Sequence, residues 1–300
     1  MMLDRVAGNA AAMEAVKAAL AQGRLSHSVL LLGEEGAGAG FCARCLAADW
    51  LYPEGGAAAE AVVRGEGAEC LSVRAENKSN TISVDQVRRV RREVYNTALS
   101  AKGRAVIFYA AHRMQAEAAN ALLKVLEEPP AGVLFLLTAT TPAAVLPTIR
   151  SRCAAVQLSA LPEEECAAFV ERARACCKDA GFLSAVYGGR IGCVLRCIDD
   201  PSRRAVLDDA LAAARCAAES DGYRLAALLA GYEKRKADAL TLLDDLRAVC
   251  GAVVRGEQAA GLTAAQAAAA AREAGWAMGL LQANVNDKLV FSCLAARLCR

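Results

Sequence analysis

Aromatic side chains are scarce in this sequence, at 5% of 300 residues, and there are only two histidines, His27 and His112. So few rings beside a hydrophobic share of 55%, much of it alanine, argue for helix-rich packing and against a β-sandwich, whose strands draw on aromatic and β-branched residues. The same apolar share excludes intrinsic disorder. No run of about 20 apolar residues occurs and Met1 leads straight to Asp4 and Arg5, so neither a membrane span nor a secretory signal is expected, and the expected location is cytoplasmic. A strong charge of either sign is missing too, since 35 basic and 33 acidic residues leave a balance of +2. Any contact with nucleic acid must then come from a local patch or a larger assembly. Cysteine, by contrast, is plentiful. Thirteen of them in a cytoplasmic chain point to free thiols, a metal site or redox chemistry.

The length sets a first expectation of two domains or three small ones. Residues 28–32 (SVLLL) are a short apolar run, followed by a glycine-rich segment over 33–40 and an apolar-periodic stretch over 41–51, which reads as strand, loop and helix. Residues 53–80 read as a helix with loops, after which Ser83 is placed to cap a helix carrying Arg88, Arg89, Arg91 and Arg92. Residues 105–109 (AVIFY) and 133–138 (VLFLLT) are two further strands, separated by a helix that Pro129 and Pro130 stop. Strands alternating with helices predict a parallel α/β sheet. Beyond Pro162 only helices are expected, over 163–178, 181–187, 192–198 and throughout the segment after Pro201. The alanine-rich stretch 263–274 is helical by propensity, but an all-alanine face is a weak packing signal.

A phosphate-binding loop of the form Gly-x-x-x-x-Gly-Lys-Ser/Thr cradles phosphates on backbone N–H groups, while its lysine reaches the terminal phosphates and its hydroxyl holds Mg²⁺. Gly33 and Gly38 have that spacing, yet Ala39 stands where the lysine belongs and Gly40 where the hydroxyl belongs. In P-loop ATPases a second strand ends in acidic residues that hold the metal. Here that strand runs into Tyr109 and Ala110, so the carboxylates are missing as well.

The segment from Ala110 to Pro130, with Asn120, Leu122, Leu123, Lys124, Leu126, Glu127, Glu128 and Pro129, and the segment Leu146-Pro147-Thr148-Ile149-Arg150-Ser151-Arg152-Cys153 closely resemble bacterial clamp-loader subunits. Supporting matches are residues 24–28, 82–88 and 284–289. The missing nucleotide chemistry narrows the resemblance to delta-prime subunits of the DNA polymerase III clamp loader, AAA+ proteins that in many lineages do not hydrolyse ATP. The resemblance implies a P-loop type AAA+ α/β domain over 1–160, a small helical lid over 161–201 and an all-helical collar over 202–300. It implies a non-hydrolysing stator in a five-subunit ring with ATPase subunits and a clamp-opening subunit, acting on a sliding clamp and on primer-template DNA. Arg152, with motif neighbours Ser151 and Cys153, is then an arginine finger supplied in trans, and no cofactor or metal of the chain's own is expected. Two departures from the family pattern stand out: Gly192 is followed by Cys193 in place of a sensor arginine, and the stretch 53–69, where relatives often carry zinc-binding cysteines, has none.

Other features have plainer readings. Cys42 and Cys45 have the C-x-x-C spacing of zinc and thioredoxin-like sites, but no second pair lies nearby, so core thiols are expected there and at Cys193 and Cys197. Arg88, Arg89, Arg91 and Arg92, with Lys102 and Arg104 further on, form the most basic stretch, a solvated helix face or a set of DNA-phosphate contacts. His27 and His112 lack a neighbouring acid or nucleophile, and one of Thr138, Thr140 and Thr141 falls at the family's sensor position. Rival readings are an active AAA+ ATPase with an unusual loop, a paralogue serving another complex, and a cysteine-based metal or redox protein.

Overall fold

Five strands, β1 (Ser28–Leu32), β2 (Cys70–Val73), β3 (Arg104–Phe108), β4 (Val133–Ala139) and β5 (Ala154–Gln157), form one parallel sheet in the order β2-β3-β4-β1-β5. The structure is a computed structural model that describes residues 1–76, 80–95, 103–174 and 177–299. β1 and β4 are buried at every position, as their unbroken apolar sequences require of strands covered on both faces. Alternate residues face opposite ways. Val29, Leu31, Ile107, Leu134 and Leu136 join one core, and Leu30, Leu32, Val106, Phe108, Phe135 and Leu137 the other.

The first core is closed by α1 (Ala10–Ala21), α2 (Ala39–Leu51) and α3 (Ala57–Arg64), the second by α4 (Val84–Glu93), α5 (Ala116–Glu127) and the short α6 (Pro147–Arg150). Ser83 caps α4 as expected: its Oγ accepts the Gln86 N–H at 3.4 Å, and the Gln86 side chain accepts the Ser83 N–H at 2.9 Å. All of these elements belong to one compact unit, Met1–Leu161. Two of its strands were not anticipated. β2 and β5 are four-residue edge strands, partly exposed, too short and with only one β-branched residue each to signal themselves.

The second unit, Pro162–Arg300, is helical throughout its described residues. Its helices are α7 (Glu163–Ala173), α8 (Ala180–Val186), α9 (Ile191–Asp199), α10 (Pro201–Glu219), α11 (Gly222–Ala230), α12 (Lys236–Val254), α13 (Ala264–Gln282) and α14 (Asp287–Leu298). Pro201 occupies the first position of α10, where its missing N–H costs nothing, and Asp200 caps the helix by accepting the Ser202 N–H at 2.9 Å. The alanine-rich stretch packs better than its composition suggests. Ala267, Ala270, Ala274 and Ala277 line a buried face of α13, and α12 is its main neighbour.

One ionic cluster is buried in this unit. Both Nη atoms of Arg203 on α10 donate to Asp245 on α12, and the Tyr187 hydroxyl donates to Asp245 Oδ1 at 2.9 Å. With the Asp245 side chain 1% exposed, removal of its cation leaves a charge buried without compensation. Arg203→Ala is expected to lower the stability of this unit by about 3–5 kcal/mol, measured as a drop in the denaturant midpoint. The double exchange Arg203→Met with Asp245→Leu is expected to recover most of that loss.

Candidate functional site

In an open parallel sheet, the crevice at the carboxyl ends of the strands is where ligands bind. Register brings three chain segments together there, because Leu31 of β1 pairs with Thr138 of β4 and Phe108 of β3 with Leu137. These are the glycine-rich loop after β1, Tyr109 and Ala110 after β3, and the end of β4. Gly33 donates its N–H to the Ala139 carbonyl at 3.0 Å, which ties the loop to β4. Gly38 precedes α2 at φ 101°, a conformation that glycine adopts without strain.

The side chains in this crevice differ from those that hold a magnesium nucleotide. Ala39 begins α2 and is buried, supplying no cation, and Gly40 supplies no hydroxyl. A Cβ placed on Gly40 would lie 3.2 Å from Cε1 and 3.4 Å from Cδ1 of the Tyr109 ring, so the phenol occupies the space beside the position where the loop's hydroxyl residue belongs. Tyr109 is 8% exposed, and its N–H donates to the Val73 carbonyl at 2.9 Å. The Arg74 guanidinium stacks 3.5 Å from the ring centroid, and Arg44 Nη1 donates to the phenol oxygen at 3.4 Å. Neither arginine was singled out in the sequence. Both lie outside the loop motif, and only the fold carries them to Tyr109. Ala110 is held at φ 53°, its N–H donating to Thr138 Oγ1 at 2.9 Å. Of the three sensor candidates, Thr138 is therefore the buried one that bonds the crevice backbone, whereas Thr141 is exposed.

Arg152 lies elsewhere, between α6 and the first residue of β5, on the amino side of the sheet. Its Nη1 donates to the Thr148 carbonyl at 3.0 Å and to Ser151 Oγ at 3.3 Å, and its Nη2 donates to Glu127 Oε1. The guanidinium remains 34% exposed. Cys153 turns the other way and packs against the core beneath α5, where burial pushes its thiol up to about 11. Ser151 is exposed, its hydroxyl donating to the Thr148 carbonyl at 3.1 Å. Glu127 lies in the segment 110–130 that carries the family resemblance, and only the fold brings it to Arg152.

Arg88, Arg89, Arg91 and Arg92 are all exposed on α4, whose opposite side buries Val87 and Val90. Arg88 reaches Asp85 at 3.4 Å. Arg104 is separate from this face: its Nε donates to the buried Glu69 at 2.9 Å and its Nη1 to the Glu93 carbonyl at the end of α4. Lys102 lies outside the described residues. His27 Nε2 is 3.2 Å from the Leu126 carbonyl, a link between the start of β1 and the end of α5. His112 has its pKa lowered, chiefly by burial and then by Arg113.

Among the described residues, no three His, Cys, Asp or Glu side chains are grouped to hold a metal ion, and no helix is long and apolar enough to cross a membrane. Cys42 and Cys45 are buried on α2, with Cys42 Sγ 3.8 Å from Met13 Sδ. Cys193 and Cys197 are buried on one face of α9, and Cys197 Sγ is 3.1 Å from the Tyr187 oxygen.

Residues 8–162, just over half of the chain, match the family model described as DNA polymerase III, delta subunit. Relatives include the DNA polymerase III subunit gamma/tau of Mycobacterium tuberculosis, 32% identical over 56% of this chain and 30% of its own length. Delta' subunits of Pseudomonas aeruginosa (36% identity, 41% of this chain, 34% of theirs) and Escherichia coli (37%, 35% and 31%) are similar as well. The chain spans about a third of the length of these curated relatives. A solved DNA polymerase III gamma subunit-related protein from Thermotoga maritima shares the fold at a TM-score of 0.53 and 16% identity, over 94% of this chain and 97% of that one.

Burial raises the Cys42 and Cys45 thiols to about 12, so at pH 8 both stay protonated and inert. Mass-spectrometric mapping of iodoacetamide labelling on the native protein is expected to find them modified on the order of a thousandfold more slowly than an unperturbed thiol. Rapid native modification would restore the redox reading.

Proposed function

Since this chain belongs to the delta-prime family of DNA polymerase III subunits, we propose that it is the non-hydrolysing stator of a replicative clamp loader, lending Arg152 to the ATP site of a neighbouring subunit. The observation that carries this reading is where the sheet puts Arg152. It precedes β5 while the glycine-rich loop follows β1, and the two strands run parallel with Val29 beside Ala154. The guanidinium and the chain's own loop are thus at opposite ends of two neighbouring strands, separated by a strand of five residues, about 16 Å. A guanidinium so placed is out of reach of a phosphate in its own loop and available to one held by another chain. There it would stabilise the charge that develops on the transferring γ-phosphoryl group.

The loop supports the other half of the reading. With Ala39, Gly40 and the Tyr109 ring in place of lysine, hydroxyl and carboxylate, the crevice lacks the three charge-assisted contacts by which a P-loop grips a magnesium nucleotide. The division of the helical unit into a lid over 161–201 and a collar over 202–300, the five-subunit ring, the ATPase, clamp-opening, sliding-clamp and primer-template partners, and a cytoplasmic location complete the proposal. In it, Arg88, Arg89, Arg91 and Arg92 are the surface offered to DNA phosphates. A second reading, an active ATPase subunit, is favoured by the likeness to gamma/tau and opposed by those three substitutions.

Three measurements follow. The isolated chain is expected not to bind magnesium ATP in calorimetry, and saturable binding would favour the second reading. Gly40→Thr is expected to leave binding absent and to cost about 1–3 kcal/mol of stability, because its Cβ meets the Tyr109 ring. Arg152→Ala is expected to leave the fold intact while lowering the ATPase rate of the complex assembled with its ATPase subunits by about a hundredfold or more. An unchanged rate would remove the trans role.

A further inference from the structure

The acidic partner of Arg152, Glu127, lies in the segment that carries the family resemblance, yet the proposed role gives it no task. Glu127 is the last residue of α5 and is followed by Glu128. Carboxylates at a helix C-terminus face the negative end of the helix dipole, so helix stability gives no reason for Glu127 to be there. Its Oε1 accepts a hydrogen bond from Arg152 Nη2. Arg152 Nη1 is bound on its other side by the Thr148 carbonyl and Ser151 Oγ. These three contacts grip the guanidinium from two elements. They use three of its five N–H groups, leaving the Nε–H and one Nη2–H to meet an anion.

Both elements are mounted on the same core. Leu122, Val125 and Leu126 anchor α5, Ile149 anchors α6, and Cys153 packs beside them. Pro129 and Pro130 come after the capping residue Glu128, whose place before a proline disfavours helical geometry, so α5 stops at Glu127. A long, half-exposed arginine ordinarily samples many rotamers, and a phosphate that recruits it must first order it. Here the ordering is already done.

We propose that Glu127 is a positioning residue for Arg152, holding the guanidinium in the orientation in which its remaining N–H groups meet the neighbouring subunit's nucleotide. The proposal rests on the trans role of Arg152. Glu127 itself touches no reacting atom. Its contribution is orientational, so it belongs to the hydrogen bond more than to the charge, and a carboxamide that keeps the acceptor oxygen keeps most of the effect.

The test uses the clamp loader assembled with its ATPase subunits and compares four variants of this chain: Glu127→Ala, Glu127→Gln, Arg152→Ala, and Arg152→Ala with Glu127→Ala. Glu127→Ala is expected to lower kcat for ATP hydrolysis about fivefold, the scale of a half-exposed ion pair, with KM for ATP unchanged. Glu127→Gln is expected to restore most of that loss, and Glu127→Ala is expected to add nothing in the Arg152→Ala background. If Arg152→Ala lowers the rate and Glu127→Ala leaves it unchanged or raises it, the positioning role is overturned while the trans role stands. Additive losses in the double variant, or a Glu127→Gln protein as slow as Glu127→Ala, overturn it too. If Arg152→Ala itself leaves the rate unchanged, the trans role fails and takes this proposal with it.

Discussion

Complete burial of β1 is the constraint on which the first unit depends. The strand lies between β4 and β5 and between two helical layers, so its five residues meet apolar neighbours on both faces. Its register is held by parallel pairing on both sides, Leu31 lying beside Thr138 of β4 and Val156 of β5. That register sets both ends of the sheet at once. At the carboxyl end it delivers the glycine-rich loop beside Tyr109 and Thr138, and at the amino end it leaves Arg152 and Glu127 beside each other and away from that loop. The separation between a phosphate-loop shape and a guanidinium is therefore a property of the sheet. No adjustment of side-chain rotamers closes a gap the length of a strand.

Within the crevice, Gly40 and Tyr109 depend on each other. An aromatic ring fits there because position 40 has no side chain, and a small residue suits position 40 because the ring already fills the space. Arg74 stacked on the ring and Arg44 at the hydroxyl hold it in place. Reversing one position alone therefore leaves the site incomplete, since a hydroxyl without a carboxylate holds magnesium poorly and a carboxylate facing an open glycine has no second ligand. The loop keeps its backbone shape because that shape is set by Gly38 and by the hydrogen bond from Gly33 to Ala139, neither of which needs a nucleotide.

Much of this was legible in the sequence, for reasons that differ by element. The three central strands announce themselves because burial on both faces demands continuous apolar runs, and the observed bounds differ from the expected ones by a residue at most. Ser83 with Gln86 signals the start of α4 through a reciprocal hydrogen-bond pattern that depends only on local spacing. β2 and β5 were not legible because each is only four residues long with one β-branched side chain, and the AAVQ of β5 reads as readily as helix. The helix expected over 163–178 ends at Ala173, so the sequence pattern overextended it. At the candidate site, the missing lysine, hydroxyl and carboxylate are countable from spacing. The Tyr109 ring over Gly40, and the meeting of Glu127 with Arg152 from segments 25 residues apart, are tertiary facts that no local pattern encodes.

The arginines divide by burial, and the division separates structural duty from surface duty. Arg203 and Arg104 face carboxylates that are each 1% exposed. Such pairs are fixed, because removing one member strands a charge out of water. Arg88, Arg89, Arg91 and Arg92 are exposed, so water or an external anion can solvate them at small cost to the fold. Arg152 belongs to neither group. It is held firmly enough to have one orientation, and exposed enough that the pair with Glu127 is weak by comparison with a charge-assisted bond to phosphate. Arg174 and Arg204 are likewise part-exposed and paired within the chain, so what sets Arg152 apart is its place at the amino end of the sheet beside Glu127. In the proposed role, this intermediate state suits a guanidinium that is oriented by its own chain and meets an anion held by another.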